Sequence, residues 1–324
     1  MEYKNLDVFV LTYNRADYLK IMLQSLCNQT ATGFNIKILN NASTDNTEDV
    51  VNEFIKKYPQ RNITLITNET NIGNPANFEK SRQLASNEYT AVFHDDDAIH
   101  PEYIDCAMQL FKNHPEAVLC GGEMDVLWNV SNDNYHLLRN DYMLYPKEDG
   151  VYLNLLFKRP SFPSYIYKTE AYKKVEYHFD KYGKICDIIL VHEISKLGDI
   201  IFMPDFCIRY RVHPNMDSNN LATGPFPDEV INIIKRIKEL NTNHKFCGQY
   251  LLYNFMQFLF NWCALSKYLS WHDFLKKLKD EKVFTNIELY CYKKSFTKSC
   301  IKRIVERETK CCNKKIRKSF AKRF

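Results

Sequence analysis

Short apolar runs and segments of helical period take turns along the first 120 residues of this chain, and few folds accommodate that order. Leu6–Thr12 reads as a buried strand, and from Ala16 to Gln29 the residues Leu19, Leu23 and Leu26 recur at helical spacing. Asn35–Asn40 is strand-like again. Ser43, with Asp45, then offers an N-cap to a helix carrying Val50, Val51, Phe54 and Ile55 on one face. Ile63–Thr67 makes a third strand, Pro75 suits the first turn of a helix reaching about Ala85, and Tyr89–Phe93 is a fourth strand that ends on acids. A βαβαβαβ order predicts an α/β fold, with a mainly parallel sheet covered by helices on both faces. Ligands gather outside the carboxyl ends of such strands.

That rule demands polar, ligand-capable residues at the strand ends. They are present: Thr12-Tyr13-Asn14-Arg15 after the first strand, Asn40-Asn41-Ala42-Ser43-Thr44-Asp45 after the second, and His94-Asp95-Asp96-Asp97 after the fourth. The first turn lacks GxGxxG and no GxxxxGK[ST] loop occurs, which excludes dinucleotide dehydrogenases and P-loop enzymes. At 324 residues, with 45% hydrophobic and 26% charged, there is room for one large domain or a domain with an appendage. Only 9 Gly and 11 Pro exclude collagen-like and linker-like chains. The 11 Cys are odd in number and lack paired CxxC spacing, so neither a zinc ribbon nor a redox dithiol is expected. No secretory leader pattern opens the sequence, and the expectation is a cytoplasmic protein.

Asp95, Asp96 and Asp97 follow Thr90-Ala91-Val92-Phe93, too apolar a run for a surface edge. Three adjacent carboxylates repel one another unless a cation is shared. Hard oxygen ligands at this spacing suit Mg²⁺ or Mn²⁺ holding a diphosphate. The plain alternative is an acidic turn capping the helix that begins near Pro101.

Read together, Val8-Phe9-Val10-Leu11-Thr12-Tyr13-Asn14-Arg15, Ile38-Leu39-Asn40-Asn41-Ala42-Ser43-Thr44-Asp45, Asn71-Ile72-Gly73 and the Asp95-Asp96-Asp97 triplet resemble a family 2 glycosyltransferase of the GT-A type. Phe179-Asp180, Asp187-Ile188-Ile189-Leu190 and Tyr210-Arg211-Val212-His213 follow in the family's order, so the likeness covers about residues 5–218. It implies a Rossmann-like, mainly parallel sheet flanked by helices. The catalytic domain would be 1–224, with a nucleotide-sugar half to about 120 and an acceptor half over 121–224.

The resemblance also implies roles. Thr12, Tyr13, Asn14, Asn40, Asn41, Asn71, Gly73 and Asn77 would line the nucleoside pocket; Asp95 and Asp96 would face the ribose and diphosphate. Asp97, Asp95 and His213 would hold Mn²⁺ or Mg²⁺. Asp187 would be the general base of an inverting transfer from a nucleotide diphosphate sugar to a glycan or lipid-linked glycan, in bacterial surface polysaccharide synthesis. Without that role, Asp187 would simply cap a helix over Ile188–Leu197. Ser164 and Tyr165 resemble the segment under the donor sugar, Trp128 is a candidate to stack on an acceptor sugar, and Arg211 stands in the late motif. Two positions depart from the family pattern. Cys186 replaces the acid that often precedes the base, and Asn40 stands where Asp is usual, which leaves the base of the donor open between UDP, the first choice, and dTDP or GDP.

Charge divides the chain. Residues 1–224 hold 22 Lys and Arg against 30 Asp and Glu, whereas 225–324 hold 22 against 9. Phe246–Leu265 is apolar over a bilayer's length but is broken by Gln249, Asn254, Gln257 and Asn261, which favours a buried helix. Beyond it, Tyr292, Phe296, Cys300 and Ile304, then Ile316, Phe320 and Phe324, recur every four residues amid Lys and Arg. This is the pattern of a basic amphipathic helix on an anionic membrane surface, and the alternative is a stripe packed on the chain's own core. Peripheral attachment at the inner face of the cytoplasmic membrane is expected, and no nucleic-acid partner, since no nucleic-acid module accompanies the basic tail. Two rivals to a transferase remain at this level: a sugar-nucleotide binding subunit without chemistry, and a metal-dependent nucleotide-sugar hydrolase.

Overall fold

The computed structural model describes residues 1–127, 138, 141–147, 161–213, 227–240, 256 and 270–284. Trp128, the basic segment beyond residue 290, and Phe246–Leu265 apart from Met256 lie outside these residues.

The opening alternation is realised as β1 (Leu6–Thr12), α1 (Ala16–Cys27), β2 (Asn35–Asn40), α2 (Thr47–Lys57), β3 (Asn62–Thr67), α3 (Asn74–Leu84), β4 (Tyr89–His94), the two-residue β5 (Ala98–Ile99) and α4 (Tyr103–Asn113). Every residue of β1 is buried because it lies between β2 and β4, parallel to both, with helices over its faces. β3, paired on one side only, reads as a mixture of apolar and polar residues. Leu19, Leu23 and Leu26 of α1 are fully buried in the same core as Val8, Val10 and Ile36, each contributing about 1.5–3 kcal/mol of transfer free energy.

The sheet continues through β6 (Ala117–Leu127), β7 (Met143–Tyr145), β8 (Ile166–Lys168) and β9 (Asp199–Arg211). Its order is β3-β2-β1-β4-β8-β6-β9-β5, with β7 on β9. The parallel character expected from the first half holds through β4, then changes. β8 runs antiparallel to both β4 and β6, while β9 returns parallel to β6 and antiparallel to β5. The result is a mixed α/β sheet flanked by helices.

By internal contacts the chain divides into two compact units: Met1–Leu144 with Pro160–Val175 and Leu197–His213, and Tyr145–Arg159 with Glu176–Lys196 and Pro214–Phe324. The second contains short helices over Phe179–Tyr182 and Asp187–Ile194, and longer ones over Pro227–Leu240 and Trp271–Asp280. Ile189, Ile233, Ile237, Phe274 and Leu278 lie in its apolar core.

At the amino end of β1, Asp7 is wholly buried. Its carboxylate accepts from Ser86 N (2.9 Å), Asn87 N (3.2 Å), Asn87 Nδ2 (2.9 Å) and Asn35 Nδ2 (3.0 Å), with Lys37 Nζ at 2.9 Å. Burial pushes this pKa up, but the donors outweigh it and bring it from 3.8 down to about 2. The carboxylate therefore stabilises the fold above about pH 4, and that contribution, about 2 kcal/mol, is lost as the pH falls through about 2. Asp7→Asn is expected to lower the melting temperature at pH 6, with the gap to wild type closing as the pH drops toward 2. A gap that stays constant over that range would show that the ionised form is not what matters.

Candidate functional site

β1, β2 and β4 end level with one another, since Thr12 pairs with Asn40 and Leu11 with His94. Their following loops therefore emerge along one edge of the sheet. Tyr13 is exposed, and Asn14 adopts φ 51°, a left-handed conformation that Asn tolerates better than most residues. Asn14 N donates to Ser43 Oγ (2.9 Å), and Asn14 Oδ1 accepts from Thr44 N (2.7 Å), which ties this loop to the one after β2. Ser43, expected to cap α2, is thus used on the neighbouring loop. Capping falls to Asp45, whose two oxygens accept from Ala16 N and Thr47 N, each at 3.1 Å, so one carboxylate serves the first turns of both α1 and α2.

Four asparagines build the next part of the edge. Asn41 Nδ2 donates to Asn71 Oδ1 (2.8 Å), Asn68 Nδ2 donates to Asn41 Oδ1 (2.8 Å) and to Asn77 Oδ1 (3.1 Å), and Asn77 Nδ2 donates to Leu39 O (3.1 Å). Asn71 Oδ1 also accepts from the N–H of Gly73, whose φ of 81° suits only glycine. Asn41, Asn71, Gly73 and Asn77 are thereby brought together, through an Asn68 that sequence reasoning did not single out. Asn40, wholly buried, accepts from Ser43 N (3.0 Å) and donates to Glu48 Oε1 (3.3 Å) and Thr67 Oγ1 (3.4 Å). Its amide is held by the protein at both ends.

The acids lie beside this edge. Asp95, Asp96 and Asp97 are all buried. Arg15 Nη1 donates to Asp95 Oδ1 (3.1 Å) and Asp96 Oδ2 (2.8 Å), and His213 Nε2 lies 3.0 Å from the same Asp96 oxygen. From the end of β9, Arg211 N donates to Asp97 Oδ1 (3.0 Å) and Arg211 Nε to Asp96 O (2.9 Å). Burial and then the Asp96 charge push Asp95 up to about 7. The same two causes hold Asp97 well above the usual carboxylate range. Burial opposes ionisation of Asp96 too, but His94, His213 and Arg15 outweigh it and keep that carboxyl below its ordinary value.

Asp97 Oδ2 is buried without a hydrogen-bond partner. One ligand atom each from His94, Asp96 and Asp97 lies within 4.8 Å of the others. An unsatisfied buried oxygen on Asp97, a second acid, Asp95, whose ionisation burial also opposes, an ionised Asp96 and a nearby imidazole fit a divalent cation that takes oxygen and nitrogen ligands. The convergent set differs from the expected Asp97, Asp95 and His213. Asp95 faces Arg15, and His213 reaches Asp96 through Nε2. His94, half-buried at the last position of β4, stands in the strand-end motif but was not among the expected metal ligands.

Ser164 and Tyr165 are wholly buried. Ser164 Oγ accepts from Gly122 N (2.9 Å) and lies 2.6 Å from Ser161 O; the Tyr165 ring packs on Phe162 and Tyr167. Asp187 is the first residue of the helix Asp187–Ile194, half-buried, and belongs to the second compact unit. The preceding Cys186 occupies the capping position and makes no side-chain cap.

Residues 7–175, just over half the chain, match the sequence model of Glycosyl transferase family 2. The chain belongs to that family. Among family relatives it resembles abequosyltransferase RfbV of Salmonella typhimurium, 31% identical over 140 residues, which is 41% of each chain. It also resembles an uncharacterized glycosyltransferase of Methanocaldococcus jannaschii, 25% identical over 222 residues covering 65% of this chain and 72% of that one. The chain thus spans about two fifths of the length of the first of these. Among solved structures, S. aureus TarS 1–349 in complex with UDP-GlcNAc superposes with a TM-score of 0.59 at 18% identity, covering 79% of this chain and 73% of that one. The mannosyltransferase PcManGT from Pyrobaculum calidifontis in complex with GDP-Man and Mn²⁺ does so with 0.53 at 13% identity, covering 89% and 83%. The fold is that of GT-A glycosyltransferases. Among the described residues no helix is long and apolar enough to cross a membrane.

Proposed function

We propose that this family 2 chain transfers a sugar from a nucleotide diphosphate sugar, UDP-linked by first choice, to a glycan or lipid-linked glycan in surface polysaccharide synthesis. The observation that carries the reading is the buried, unpartnered Asp97 Oδ2, standing with His94 and Asp96 at the carboxyl end of β4. Neighbours of this fold hold UDP-GlcNAc, or GDP-Man with Mn²⁺, and a relative is named as an abequosyltransferase. Those names support the class of donor.

In this reading Asp97, Asp96 and His94 hold Mn²⁺ or Mg²⁺, with His213 braced behind Asp96. A bound cation supplies positive charge that steadies the departing diphosphate. Asp95 faces the ribose and diphosphate, and the asparagine-held loops after β1, β2 and β3 receive the nucleoside. Asp187 takes the proton from the acceptor hydroxyl as that oxygen attacks the anomeric carbon, which inverts the configuration there. Burial and the neighbouring Asp187 charge push the Cys186 thiol up, so it stays neutral and does not replace the acid that relatives often carry before the base.

Melting temperatures measured with UDP, dTDP, GDP and CMP, each with and without Mn²⁺, test the donor site. A ligand at a hundred times its dissociation constant adds about 2.7 kcal/mol, a rise of roughly 4 °C at this size. The expected result is a rise with one nucleotide that requires the metal. No rise with any of the four removes the donor reading.

The basic segment 291–324 is proposed to bring the enzyme to an anionic leaflet, where a lipid-linked acceptor would lie. Sedimentation with phosphatidylglycerol vesicles should be lost on deleting 287–324. Unchanged sedimentation of the shortened chain would sink the membrane role.

A further inference from the structure

The acid triplet is braced from two sides, and both braces pass through the start of α1. Arg15 is the residue that precedes α1, at its N-cap, and Tyr18 is the third residue of the helix. Arg15 reaches Asp95 and Asp96 directly. Among the described residues Tyr18 makes no hydrogen bond to an acid. Its ring lies 4.7 Å from the His213 ring, centroid to centroid, and the Arg211 guanidinium sits 5.0 Å from its centre. Both distances are contact distances for an aromatic pair and a cation over a ring. The two groups it touches are the ones that reach the acids from β9: His213 through Asp96 Oδ2, and Arg211 through Asp96 O and Asp97 Oδ1.

Arg211 N holds one oxygen of Asp97, and the other is the unpartnered one. Any rotation of the carboxylate would exchange or misdirect them. The end of β9 is held on one side by the pairing of Arg211 with Leu127 of β6, and the half-buried Tyr18 ring is its contact with α1. We propose that Tyr18 is a positioning residue which, by clamping Arg211 and His213, sets the affinity of the acid site for a divalent cation. The proposal rests on reading the triplet as a cation site.

Calorimetric titration of the full chain with Mn²⁺ at saturating UDP tests it, using Tyr18→Phe and Tyr18→Leu. Groups that orient metal ligands from behind typically alter metal affinity about 10–100-fold. Tyr18→Phe, which keeps the ring, is expected to bind Mn²⁺ within about twofold of wild type, and Tyr18→Leu about tenfold or more weakly. In turnover assays the half-saturating Mn²⁺ concentration should rise in Tyr18→Leu while kcat at saturating metal changes little, a split that general loosening of the fold would not produce. Tyr18→Gln provides the same ring deletion if the leucine variant does not fold. Equal Mn²⁺ affinity in wild type and the ring-deleted variants overturns the proposal, as does a phenylalanine variant as weak as leucine. Wild type that binds no Mn²⁺ with any nucleotide overturns the cation site itself, and is told apart because it involves no variant.

Discussion

Asp187→Asn is expected to leave metal-dependent nucleotide binding intact and to lower turnover by roughly 10²–10⁴-fold, the range for loss of a positioned general base. Asparagine keeps the size and the place at the first turn of Asp187–Ile194, so the helix should persist. What disappears is the capacity to take a proton. The check is a pair of measurements on one preparation: the nucleotide-induced rise in melting temperature, which should match wild type, and sugar transfer, which should not. Retained transfer would remove Asp187 from the chemistry. Absence of transfer in wild type as well, with nucleotide binding present, would turn the reading toward a binding subunit.

Asp97→Asn should act in the opposite sense on binding and stability. The wild-type carboxyl is buried beside two other acids, with one oxygen lacking a partner, an arrangement that costs stability until a cation arrives. Neutralising it is expected to hold or raise the ligand-free melting temperature, while abolishing the metal-linked nucleotide effect and lowering transfer by about 10²–10⁴-fold, several kcal/mol of lost charge stabilisation. A variant that is less stable without ligand yet still binds Mn²⁺ with nucleotide would place Asp97 in the scaffold and not in the site.

Strands β1 and β4 were legible because strands buried on both faces read as largely apolar runs, while β2 and β3 showed as short alternations of apolar and polar residues; Leu6–Thr12 and Asn35–Asn40 coincide with the observed β1 and β2. Ser43 misled because a serine before an acidic first turn is an ordinary cap signal, and the competing use of its hydroxyl by Asn14 N comes from another loop 29 positions away. The antiparallel β8, only three residues long, has too little length to show a period. In the site, the acids were visible as a motif, but which atoms converge was not. His213 reaches Asp96 across 117 positions, and Tyr18 is placed by its contacts with residues of the β9 end. Such pairings are products of the sheet order, and no local spacing encodes them.

The sheet order also bears on how the chain is made. β6 has β8 on one side, but its other neighbour, β9, is the strand that carries Arg211 toward the acids and leads to His213. A ribosome adding about 5–20 residues per second needs roughly 6–23 s to travel the 117 positions between Asp96 and His213. Throughout that interval the nascent chain carries an acid cluster lacking its β9 partners, and from the completion of β6 until β9 is made it also exposes an unpaired edge of β6. Chaperone capture is best placed to matter in that window, and slow codons between β8 and β9 would lengthen the exposure more than slow codons anywhere in the first hundred residues.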